Sequence, residues 1–223
     1  MTRLSLLLPF LLLTACGERP ATPPEDAWPW QITVLDPQHS RVFGITLGRS
    51  TLGEASASLG AGYKLALFED PVGRLSLEVY YSEITRGGLS GKLILVLDGS
   101  QAELAALRDR AAARQVLGSG NVRYTLSDAD QLAVPSRTVV ALDYIPYVNL
   151  DAETITGRFG PPAERIRLAA GREHWLYPDR GLDILLDPEG KELLQYVPPA
   201  DFERLVRPLR EAERAAAGRQ DGI

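Results

Sequence analysis

The chain is 223 residues long, 45% hydrophobic and 24% charged, with a formal net charge of −5 from 24 basic and 29 acidic residues. That length is ample for a packed core. The charges are interleaved rather than gathered into the basic stripe that nucleic-acid binding requires, so nucleic acid is set aside as a partner. One cysteine and two histidines supply neither a disulfide framework nor the three or four ligands of a zinc site, and no metal or cofactor is expected.

The N-terminal residues carry Arg3, an almost wholly apolar run from Leu4 to Leu13, and then Leu13-Thr14-Ala15-Cys16-Gly17. A basic start, a short apolar core and a small residue before the break form the pattern of a secretory signal peptide, and the run is shorter than the roughly 20 residues of a spanning helix. The ending resembles the lipobox of bacterial lipoproteins. That resemblance implies cleavage before Cys16 and acylation of Cys16 on its sulfur and its new amino group. With Gly17 and Glu18 next, and no aspartate at that point, it also implies the periplasmic face of the outer membrane. Pro20, Pro23 and Pro24 lie among polar residues, a composition that reads as an extended tether. Trp28 and Trp30 follow, either resting at the membrane interface or opening the first strand.

From there the chain alternates short strands and helices. Residues 31–35 and 41–45 read as strands around the turn Asp36-Pro37-Gln38-His39. Thr51 and Glu54 form a capping box for a helix that stops at Gly60. Residues 63–68, 75–81 and 89–97 read as strands, the first two joined by Asp70-Pro71-Val72-Gly73-Arg74. Ser100 and Glu103 cap a second helix, with Leu104, Leu107 and Ala111 on one face and Arg108, Arg110 and Arg114 in its C-terminal half, ending at Gly118 to Gly120. Strands at 121–126 and 138–145 flank a polar loop. Asp151 caps a third helix ending at Phe159-Gly160, and strands follow at 163–168, 173–177, 182–186 and 192–197. A last helix, capped by Asp201, carries Phe202, Leu205, Val206 and Leu209 on one stripe, with a kink expected at Pro208.

The second half repeats the first in outline. Thr51 and Asp151 stand at the same spacing before Gly60 and Gly160, each glycine follows a large apolar residue, and a meander comes after each helix. The fold expected is α+β: two related helix-plus-antiparallel-meander modules packed together, closed by the kinked C-terminal helix. The divisions are 1–15 signal peptide, 16–29 lipidated tether, 30–120 first module, 121–217 second module and 218–223 tail. Phe159-Gly160-Pro161-Pro162, Trp175-Leu176-Tyr177 and the hairpin from Leu182 to Val197 occur in the order typical of the SmpA/OmlA lipoproteins. That family includes the accessory lipoprotein of the outer-membrane β-barrel assembly machine. The resemblance implies a helix-on-sheet module and an interaction role, with no catalytic residue.

Motifs for chemistry are sparse. His39 lies in a turn, and His174 lies beside Glu173 and Trp175 with no partner marked by spacing. Leu117-Gly118-Ser119-Gly120 lacks the setting of a nucleophile elbow. Gly87 to Lys92 leads into a strand rather than the helix that a phosphate loop requires. Trp175 and Tyr177 share one strand face. Beneath a helix they are core; left open, they join Trp28 and Trp30 as an interaction surface. The reading is a non-enzymatic envelope lipoprotein, anchored to the membrane through Cys16 and working with another envelope protein in interaction or outer-membrane assembly. A lipoprotein holding an apolar or lipid ligand is the alternative, and a hydrolase the remote third.

Overall fold

Alternation of large apolar and polar side chains shapes most of this molecule, because a strand sends successive side chains to opposite faces of a sheet. The computed structural model describes residues 28–220, with side chains through Arg214; Cys16 and most of the expected tether lie outside the described residues. The elements run β1 (Thr33–Asp36), β2 (His39–Val42), β3 (Ile45–Thr46), α1 (Leu52–Leu59), β4 (Lys64–Glu69), β5 (Leu75–Arg86), β6 (Leu89–Leu97), α2 (Gln101–Asp109), β7 (Ala113–Val116), β8 (Val122–Thr125), α3 (Asp128–Ala133), β9 (Val139–Pro146), α4 (Ala152–Phe159), β10 (Glu164–Arg167), β11 (Glu173–Tyr177), β12 (Leu182–Leu186), β13 (Leu193–Tyr196) and α5 (Phe202–Gln220).

Ten strands form one antiparallel sheet in the order β10-β11-β12-β13-β9-β6-β5-β4-β8-β7, and β1-β2-β3 form a second, small one. The α+β class is as expected. β9 joins the two halves, pairing with β13 on one side and β6 on the other. Two helices begin with the full capping boxes read from sequence, Thr51 with Glu54 and Ser100 with Glu103, which satisfy backbone donors that the first turn leaves free.

One element departs from expectation. The helix after Ser100 ends at Asp109, not near Gly118. Ala113, Arg114 and Gln115 are strong helix formers, yet residues 113–116 pair with β8 from Ala113↔Thr125 to Val116↔Val122. Sheet pairing outweighs a local preference worth only tenths of a kcal/mol per residue. The hairpin β7–β8 therefore spans the 120/121 division, and β8 pairs with β4. The expected polar loop contains α3, capped by Ser127. α5 runs on through Pro208.

The sheet has two unlike faces. The first carries Leu77, Val79, Leu93, Leu95, Leu142, Ile184 and Leu194, all fully buried against α1, α2, α4 and the small sheet in one continuous core. The second packs Ile166, Leu176 and Val197 against Phe202 and Val206 of α5 in a smaller cluster.

Candidate functional site

The sequence-marked residues around α4 come together on the first face. Asp151 caps α4 by accepting the Thr154 N–H at 2.7 Å, and Ile155 and Phe159 point inward. The C-terminal end is clamped from β11 and the turn that follows it: the Tyr177 hydroxyl donates to the Gly160 carbonyl at 3.0 Å and Arg180 to the Phe159 carbonyl at 2.8 Å. Orphan carbonyls at a helix end need such donors. Trp175 and Tyr177 are 2% and 6% exposed, so of the two readings of this strand face, the structure places both rings in the core. The Trp175 indole N–H donates to Glu173 at 3.0 Å, and the Arg165 guanidinium lies 4.0 Å from the Trp175 ring centroid.

Trp28 and Trp30 form a latch where the expected tether meets the body. Their rings stack at 5.0 Å between centroids. Trp30 meets Phe159 edge-on at 6.4 Å and takes the Arg158 guanidinium over its face at 4.7 Å. Between them, the Pro29 carbonyl accepts the buried Tyr196 hydroxyl at 2.9 Å. Trp28 lies over the β5–β6 turn at Gly87, where an added Cβ would come within 2.7 Å of the indole and where φ is +55°. Both tryptophans are half-buried.

A second constellation was not read from sequence. On the second face a row of paired residues crosses the sheet: Ile94 opposite Asp143, Asp143 opposite Gln195, Gln195 opposite Asp183. Gln195 donates to Asp143 at 3.3 Å, and His174 Nδ1 pairs with Asp183 Oδ2 at 2.7 Å. The histidine and aspartate side chains are only 8% and 1% exposed. Burial pushes the Asp143 carboxyl up to about 7, with Glu78 and Asp183 adding like-charge repulsion. Burial also raises Glu78 and Asp183, although the hydrogen bond from His174 pulls Asp183 the other way. Asp183 Oδ1 has no partner. A histidine oriented by a buried aspartate is half of a nucleophile-activating pair, but among the described residues His174 makes one side-chain hydrogen bond, to Asp183. The signal available in sequence was an aspartate inside each of two apolar runs, Leu182-Asp183-Ile184 and Leu142-Asp143-Tyr144.

His39 bonds to Asp36 in its turn. Among the described residues no group of acidic, histidine or cysteine side chains is placed to hold a metal ion, and no helix is long and apolar enough to cross a membrane. No family model, no curated protein and no solved structure matches the chain.

Proposed function

We propose that this chain is a non-enzymatic lipoprotein of the bacterial envelope, acylated on Cys16, held at the periplasmic face of the outer membrane and working by contact with another envelope protein. The observation that carries the reading is the latch. The last residues of the expected tether and the residue after them are fastened to α4, β13 and the β5–β6 turn by Trp28, Pro29 and Trp30. The latch sets the point on the body from which the expected tether leaves, beside α4 and the β5–β6 turn. An extended tether from Cys16 to Trp28 keeps the body within about 40 Å of the bilayer. Two or more acyl chains make such an anchor durable, at about 0.8 kcal/mol per buried methylene.

The finer architecture belongs to the same reading. α1 followed by β4–β6, and α4 followed by β10–β13, are two helix-plus-meander units of the kind found in the SmpA/OmlA family, fused through β9 into one sheet. The Phe159-Gly160 and Trp175-x-Tyr177 signatures support this for the second unit, since Tyr177 clamps the end of α4.

Cys16→Ala and envelope fractionation test the anchor. The wild-type chain is expected in the outer-membrane fraction, and the variant is expected to be absent from it. A variant that still reaches the outer-membrane fraction like the wild type would remove the lipoprotein reading. Crosslinking of intact envelopes followed by affinity capture tests the interaction role, which fails if no partner reproducibly accompanies the wild-type chain.

A further inference from the structure

A cleft of about 380 Å³ opens on the first face between the N-terminal end of α4 and the end of the sheet where β11 begins and β12 finishes. Its apolar walls are Leu150, Leu186, Trp175 and Pro188. Four carboxylates line it, and three of them are engaged. Asp151 accepts the Thr154 N–H of its own helix. Asp187 accepts the Glu189 N–H in its turn. Glu173 takes the indole N–H of Trp175 and an ion pair from Arg167. The fourth, Glu192, is different. It is 9% exposed, its Oε2 is buried, and no hydrogen bond reaches that oxygen. Removing a carboxylate oxygen from water without a partner costs several kcal/mol, so a built pocket that holds one is poised for a donor that arrives from outside.

The cleft also shows which donor fits. Its single cation, Arg165, is spent over the Trp175 ring at 4.0 Å, so four acids face one base. The walls are the surface that a methylene stem covers when its charged head reaches a polar end. The volume suits one side chain rather than a helix or strand. We infer that this cleft is a receptor for a cationic side chain of a partner polypeptide: the aliphatic stem lies against Leu150, Leu186 and Pro188, and the guanidinium or ammonium head donates to Glu192 Oε2. That the cation belongs to a polypeptide rests on the interaction reading above; the cleft's preference for a cation does not. Charge-assisted hydrogen bonds are the stronger kind, and a buried one at the end of an apolar slot gives specificity by leaving the carboxylate unpaired when a neutral isostere is offered.

The test uses the full mature chain in detergent micelles and three capped amino acids as probes: N-acetyl-arginine amide, N-acetyl-lysine amide and N-acetyl-citrulline amide. Binding is read by the shift of the Trp175 indole N–H resonance on titration. Saturable shifts with either cationic probe, and binding of citrulline weaker by roughly tenfold or more, are expected for one lost charged hydrogen bond. A stronger response to arginine assigns a guanidinium, and a stronger response to lysine an ammonium. Glu192→Gln should lose the same roughly tenfold. Ala152→Phe, which fills the mouth of the cleft and leaves Glu192 in place, should also abolish the shift and serves if the first variant fails to fold. Equal binding of citrulline and arginine, no saturable shift with either cation, or full binding to Glu192→Gln would each overturn the inference. None of these outcomes touches the anchor, which fractionation of Cys16→Ala reads separately.

Discussion

The first face of the ten-stranded sheet meets α1, α2, α4 and the small sheet with leucine, valine, isoleucine and aromatic side chains. The second face sets Glu78, Asp143, Gln195, Asp183 and His174 among its apolar residues, and α5 packs over Ile166, Leu176 and Val197 beside them. The same strands build both. On β12, Leu182 and Ile184 point into the dry core while Asp183, between them and equally buried, points to the other side. An apolar face gains stability from every residue that leaves water. A buried polar row gains it only where each charge finds a partner, and it penalises any loss of one. The two faces should therefore respond to substitution in different ways: the first by lost volume, the second by orphaned charge.

The largest contrast lies at Asp183. Removing it strands His174 in a site only 8% exposed, and Asp183→Ala should cost about 3–5 kcal/mol, the usual penalty for breaking a buried pair by deleting one partner. Replacing both members with apolar residues, His174→Leu with Asp183→Leu, should restore most of that loss, as pairs replaced together often do. Urea denaturation of the single and double variants measures both. A double variant as unstable as the single one would mean that the row is held by shape rather than charge. Next to it, Ile184→Ala should cost about 2–5 kcal/mol by cavity formation, while Leu185→Ala, half-buried on the second face, should cost less than about 2 kcal/mol. Equal losses would erase the distinction between the faces.

Sequence alone reached the first face more completely than the second, for a physical reason. Alternation in Leu75-Ser76-Leu77-Glu78-Val79 and the capping boxes at Thr51 and Ser100 are local signals, and the strands and helices they predict are present. Which strands become neighbours is not local. His174 and Asp183 meet only because β11 and β12 pair in a register that sets Leu176 opposite Asp183, and Asp143 joins the row only because β9 inserts between β13 and β6. Glu192 reads as an ordinary acid at the start of a strand until the turn at Asp187 and the loop at Leu150 close around it. The helix capped by Ser100 ends at Asp109 rather than near Gly118 for the same reason: the partner that claims residues 113–116 lies in β8.

Acidity offers a gentler way to separate the faces, because Asp143, raised by burial, stands on the second, whereas Glu173 on the first is lowered by its hydrogen bonds from Trp175 and Arg167. Asp143 holds its proton up to about pH 7 in the folded chain, against an ordinary value of 3.8. Between those values the folded state binds a proton that the unfolded state releases. Its contribution is thus fully present below about pH 4 and is lost as pH rises through 7. Glu78 and Asp183, both raised by burial, act with the same sign, while the lowered Asp36, Asp130 and Asp151 act with the opposite one. Asp143→Asn should flatten the fall in stability from pH 5 to 8 and leave the variant more stable at pH 8 by about 2 kcal/mol, a discounted share of the full shift. Denaturation midpoints across that range decide it; a variant with the wild-type slope would assign the row a different titrating group.

The smallest expected effect tests whether the latch belongs to the cover of the first face. Trp28 and Gly87 touch so closely that a Cβ at Gly87 would enter the indole, and the left-handed φ of +55° adds its own penalty. Gly87→Ala therefore carries two costs in the wild-type chain: about 1–2 kcal/mol for the backbone and a further share for displacing Trp28. In a Trp28→Ala background the second cost vanishes and the first remains. Trp28→Ala by itself should lose about 1 kcal/mol through its stack on Trp30. If the latch is seated as described, the two substitutions together will be less damaging than their separate losses imply, by about 0.5–1 kcal/mol. Strict additivity in a double-mutant cycle would mean that Trp28 leaves the turn in solution. Trp30, Phe159 and Tyr196 would then close the first face without it.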